Sequence, residues 1–138
     1  VDQSPALRDA SVQDIQLELI RRSSFNAFYG ERIYQSLLKH RALWTAALLD
    51  RPGLPNYQNP VQLLIAGLVT LRDLPHNLWN ADTLFVLTVS PAAASELAAI
   101  AESEGWGGEV QVHEDREETD AALGSWRTTY GLFSVWWD

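Results

Sequence analysis

The apolar positions change their spacing about two-thirds of the way along the chain. In the first part they recur at three and four residues. Val12, Ile15, Leu19 and Ile20 mark one helical stripe, with Leu17 off it. Ser11 and Asp14 stand as N-cap and N3 of that helix, which ends near Arg22 at the Ser23-Ser24 pair. Ile33, Leu37, Leu38, Trp44 and Leu48 predict a second helix from about Glu31 to Leu49, stopped by Arg51-Pro52-Gly53. Between the two, Phe25, Phe28 and Tyr29 predict a buried corner. Asn59-Pro60 then predicts a cap and first turn for a helix to about Leu71; Leu63-Leu64-Ile65 would also suit a strand core.

After residue 80 the grammar is that of strands and short helices. Thr83 to Val89 is a nearly continuous run of β-formers, as in a strand buried on both faces. Ser90-Pro91 caps a helix that ends at Gly105, and Gly107-Gly108 turns the chain. Glu109 to His113 alternates with period two. Asp115-x-x-Glu118 opens a short helix stopped by Gly124, and Gly131 to Trp137 is a third strand. Strand–helix–strand units in succession predict parallel strands joined by crossovers. The expected fold is therefore α/β: N-terminal helices packed on a small, mainly parallel sheet. Residues 1–138 are read as one domain, with 1–80 a mainly helical layer and 81–138 a β-α-β-α-β unit.

Composition narrows the classes. The chain has 138 residues, 46% of them hydrophobic, enough for a core that removes roughly two-thirds of the unfolded surface from water. It has no cysteine, which excludes disulfides, thiolate metal sites and a cysteine nucleophile. No apolar run approaches the ~18–20 residues of a membrane span. Leu63 to Leu71 is the longest. No signal-peptide pattern is visible, and a cytoplasmic setting is expected; the start at Val1 rather than Met fits a trimmed N-terminus. The net charge of −8 argues against nucleic acid as a partner. That charge is lopsided: residues 1–80 carry 8 basic and 7 acidic side chains, residues 81–138 carry 2 and 11. The plain reading is a solvated acidic surface; the sharper one is an acidic face for a partner, with Arg21, Arg22 and Arg32 as a separate anion-attracting patch.

Chemistry is sparsely marked. The phosphate-binding GxxxxGK[ST] and GxGxxG patterns are absent, as are GxSxG and HExxH, and no cofactor or metal is expected. In parallel sheets ligands collect beyond the carboxyl ends of the strands. That places weak catalytic candidates at Ser90, at His113 with Glu114 and Asp115, and at the terminal Asp138. Against them, Asp115 and Ser90 read as helix caps and His113 as a strand-end residue in water. The connector 72–82 gathers Arg72, Asp73, His76, Asn77, Asn80 and Asp82 beside Trp79; turn-closing side chains account for most of it. Glu117, Glu118 and Asp120 read as solvated surface. Six tryptophans need places. Trp44 is expected in the core, and Trp106 and Trp126 pin the crossovers. Trp136 and Trp137 are neighbours on one strand and must point to opposite faces. If only one face is covered, one of them is exposed, as at an interface. The function favoured by these features is a non-catalytic interaction module that meets another protein or its own copy. The rival is a small-molecule or enzymatic domain with its site at Ser90, His113 and Asp115.

Overall fold

A computed structural model describes residues 6–25, 27–50, 74–76, 81–124 and 129–137. Among them are four α-helices: α1 (Val12–Arg22), α2 (Gly30–Lys39), α3 (Pro91–Ser103) and α4 (Arg116–Ala122). A two-residue hairpin pairs β1 (Ser24–Phe25) with β2 (Phe28–Tyr29). The main sheet has four strands: β3 (Trp44–Asp50), β4 (Thr83–Thr88), β5 (Glu109–Val112) and β6 (Gly131–Trp136).

The sheet order is β3-β4-β6-β5, and every neighbouring pair is antiparallel. This corrects the expectation of a mainly parallel sheet. β4 and β5 do run in the same direction and are joined through α3, but they are not neighbours. β6 returns between them, antiparallel to both. The crossover rule was applied to strands taken to be adjacent; an inserted third strand removes its premise.

The long second helix is also corrected. It ends at Lys39, a single 3₁₀ turn (Arg41–Leu43) follows, and Trp44 to Asp50 is a strand. Its pairing to β4 jumps from Trp44↔Thr88 to Ala46↔Leu87, so Thr45 is an extra residue, a bulge. The bulge sets Trp44 and Ala47 on one face at a spacing of three, which a helix would also produce. Trp44 is in the core as expected, its indole donating to the Leu37 carbonyl at 2.8 Å.

Local signals elsewhere hold. Ser11 Oγ accepts from the Asp14 amide, and the Asp14 carboxylate accepts from the Ser11 amide, both at 3.0 Å. Ser90 and Asp115 cap α3 and α4. Along α1 the stripe differs from the expected one. Ile20 is fully buried and Leu17 packs against the core, while Val12 is 77% exposed. Gly30 lets α2 start against the end of α1: a Cβ there would collide with the Ile20 and Ser23 carbonyls. The expected corner is the β1–β2 hairpin, with Phe28 buried and Tyr29 exposed.

One core cluster joins the two halves. Ile20 from α1, Ile33 and Leu37 from α2, and Ala94, Leu97, Ala98 and Ala101 from α3 meet Ala47, Leu49, Leu84, Val86, Phe133 and Val135 of the sheet. By register, those six sheet residues share one face. The architecture is a two-layer α/β domain with α1, α2 and α3 on the same side of the sheet. Among the described residues no helix is long and apolar enough to cross a membrane. The expected helix at 60–71, most of the 72–82 connector, Trp126 and Asp138 lie outside the described residues.

Candidate functional site

The face away from α1–α3 is built by the alternate residues of the same strands. One row runs Leu48, Phe85, Ser134, Gln111 across the sheet, and another runs Asp50, Thr83, Trp136, Glu109. Ala46, Leu87 and Leu132 make a third. None of these apolar side chains belongs to the core cluster. Leu48 and Trp136 are 43% and 42% exposed, and Phe85, Leu87 and Leu132 are half-buried. The face is therefore largely apolar, with the buried hydroxyls of Ser134 and Thr83 among its central strands and carboxylates at one end.

The tryptophan pair divides accordingly. Trp137 turns into the core at 1% exposure, edge-on to Phe28 with ring centroids 4.5 Å apart, its indole donating to the Trp106 carbonyl at 2.9 Å. Trp136, one residue earlier, points out. A single residue of strand periodicity separates a core anchor from a surface one.

The strand-end candidates are brought together only in part. Because β4 and β5 run the same way, Ser90 and His113 stand at one end of the sheet. β6 runs the other way and finishes at the opposite end of the sheet; Asp138 lies outside the described residues. A cleft of about 250 Å³ opens beside His113, lined by Pro91, Ser95, Val112, Arg116 and Leu132 among others. Of its polar lining His113 and Arg116 are already engaged, as are Ser90 and Asp115 nearby. His113 Nε2 and Ser134 Oγ are hydrogen-bonded at 2.9 Å. Ser90 Oγ accepts from the Ala93 amide at 3.1 Å, and the Asp115 carboxylate from the Glu118 amide at 3.0 Å. Arg116 reaches Asp120 at 3.0 Å and the Tyr130 carbonyl. His113 and Ser134 stand at the spacing of a base–nucleophile pair, but Ser134 is buried and, among the described residues, no carboxylate bonds the other ring nitrogen to orient the base; nor do three His, Asp or Glu side chains among them converge as metal ligands.

The three arginines are each engaged with protein groups. Arg21 and Arg22 both bond the Glu18 carboxylate, Arg22 Nε at 2.7 Å and Arg21 Nε at 2.8 Å. The Arg21 hydrogen bond, helped by Arg22 and opposed by partial burial, holds the Glu18 carboxyl below its usual pKa. Arg32 donates to the Gly105 carbonyl at 3.1 Å with its guanidinium over the Tyr29 ring.

Two constellations had no signature in the sequence. In the first, the Trp106 indole donates to Ser36 Oγ at 2.9 Å, and Ser36 in turn to Glu104 at 2.8 Å. His40 meets the other Glu104 oxygen at 2.8 Å, so one carboxylate ties the end of α2 to the turn after α3, and His40 and Ser36 hold it below its usual pKa. The second lies at the β3 edge. Gln13 bonds both backbone groups of Ala47, accepting from its N–H and donating to its C=O, each at 2.9 Å. Gln16 accepts from the Leu49 amide at 3.2 Å. A polar glutamine near an apolar stripe is an ordinary solvated residue until the strand beside it is known.

Comparison with known protein families, with curated proteins and with solved structures gave no match.

Proposed function

We propose that this chain is a non-catalytic protein-interaction module that binds through the sheet face away from α1–α3. The observation that carries the reading is Trp136. A large ring stands 42% exposed beside further apolar side chains, while its neighbour Trp137 fills the core. Aromatic rings on an otherwise ordinary surface are typical anchors of protein interfaces. Asp50 and Glu109 in the Trp136 row add a charged rim.

Trp136→Ala tests it. A surface anchor costs little on removal, so unfolding stability should stay within about 1 kcal/mol of wild type. Partner binding, by another protein or by a second copy in light scattering, should be lost. A stability loss of about 3–5 kcal/mol would show that the ring is core, and unchanged partner retention would show that the face is not the binding surface. Either result overturns the proposal.

The cleft at His113 supports a second reading, a small-molecule site. At about 250 Å³ it is smaller than the roughly 300–1,000 Å³ of ordinary ligand pockets. A ligand-induced rise in Tm that His113→Ala removes, with Trp136→Ala unaffected, would favour this reading over the interaction face.

A further inference from the structure

The two border strands of the sheet are finished differently. On β5, the amide of His113 bonds the Leu132 carbonyl at 2.9 Å. Alternation along an antiparallel ladder then makes Gln111–Ser134 and Glu109–Trp136 bonded pairs as well. The N–H and C=O of Val110 and Val112 must point away from β6. None of these four groups has a hydrogen-bond partner among the described residues. Among the described residues, no side chain does for Val110 and Val112 what Gln13 and Gln16 do for β3.

An open edge can be filled by any extended chain, so charge selects the occupant. Glu109 stands on the strand, and Glu114, Asp115, Glu117 and Glu118 follow directly after it; all five are exposed. A second copy pairing antiparallel along this edge would bring Glu109 of one copy toward the Glu114–Glu118 carboxylates of the other, like charge beside like, which is unfavourable. A basic segment would meet them with opposite charge. Side-chain alternation adds a pattern. Guest residues above Val110 and Val112 would sit beside half-buried apolar side chains, and their neighbours would sit on the side of Glu109 and Gln111.

Resting on the interaction-module reading, we propose that the outer edge of β5 takes a short antiparallel strand of alternating apolar and basic residues from a partner protein, adding a fifth strand to the sheet. This is strand addition: main-chain bonds hold the guest, and alternate side chains select it.

The probe is an eight-residue peptide of alternating valine and lysine, titrated against the whole protein with tryptophan fluorescence as readout. It should bind, and binding should weaken about tenfold or more as salt rises from about 0.05 to about 0.5 M. A peptide with glutamate in place of lysine should not bind. N-methylation of the valines, whose amides face β5 in this register, should abolish binding. Val110→Pro removes one outward N–H and no ladder bond, so the fold should survive; it should weaken the peptide at least tenfold. The peptide experiments on wild type stand even if that variant misfolds. Binding that survives valine N-methylation, or equal binding of the glutamate peptide, would overturn the inference. So would a dimer that Val110→Pro dissolves, since the occupant would then be a second copy. If Val110→Pro leaves the natural partner bound while Trp136→Ala releases it, the edge inference falls and the face reading stands.

Discussion

β3 and β5 border the same sheet, and each must dispose of a row of peptide groups. β3 lies beside α1, and two glutamine side chains imitate a fifth strand there, with Gln13 copying both halves of a peptide bond against Ala47. Among the described residues β5 has no such neighbour, and what guards it there is carboxylates. Exposed edges invite pairing, and proteins usually blunt them. Among the described residues one edge is closed by hydrogen bonds and the other is guarded by charge. A charge guard repels like edges and admits opposite ones, so the difference separates a border that only stabilises from one that can select.

The contrast can be broken most directly at the closed edge. Gln13→Ala combined with Gln16→Ala strips three bonds from β3 and should cost about 2–4 kcal/mol in chemical denaturation; a loss under about 0.5 kcal/mol would mean that water replaces them freely. Proline then sharpens the comparison. Ala47→Pro removes the N–H that Gln13 accepts and should cost about 1–3 kcal/mol. Val110→Pro removes an N–H that has no partner among the described residues and should be nearly neutral in Tm; equal costs at the two positions would erase the distinction. The smallest effect concerns α1, which carries the glutamines. Glu18 has a lowered pKa when folded, chiefly through Arg21. Its contribution is therefore present above the usual carboxylate pKa and is lost as pH falls through the lowered one. Glu18→Gln should flatten that acid limb of a stability–pH profile, and an unchanged limb would show that the pairing is not felt. Both partners are part-exposed, so the effect should also shrink in salt.

Much of this was legible as local chemistry. Ser11, Ser90 and Asp115 each start a helix because a side-chain oxygen can meet a free amide three residues on, and that requires only neighbours in sequence. The strands around Thr83–Thr88, Glu109–Val112 and Gly131–Trp136 were likewise visible in their β-formers. Strand direction was not: Val135 packs equally well whether β6 runs up or down, and only its position between β4 and β5 decides. β3 was hidden by its bulge at Thr45, which replaced the two-residue rhythm with one that suits a helix. For the candidate site, the opposed Trp136 and Trp137 followed from periodicity alone, but which of them faces the core did not. Whether an edge is open depends on what lies beside it, as Gln13 and Val110 show in opposite ways.

The position of β6 has a consequence for the order in which the molecule is made. β4 and β5 are synthesised first and have no bonds to one another in the finished sheet. The strand that joins them is the last of the four to leave the ribosome. Until it arrives, β4 can pair only with β3, and β5 has no partner in the sheet at all. Phe133 and Val135 supply the middle of the core cluster, so that core also waits for them. Assembly from the N-terminal side, common for larger chains, can here prepare the helical layer and the β3–β4 pair but cannot close the sheet. The nascent chain must carry β5, with both borders open, through the synthesis of α4 and β6.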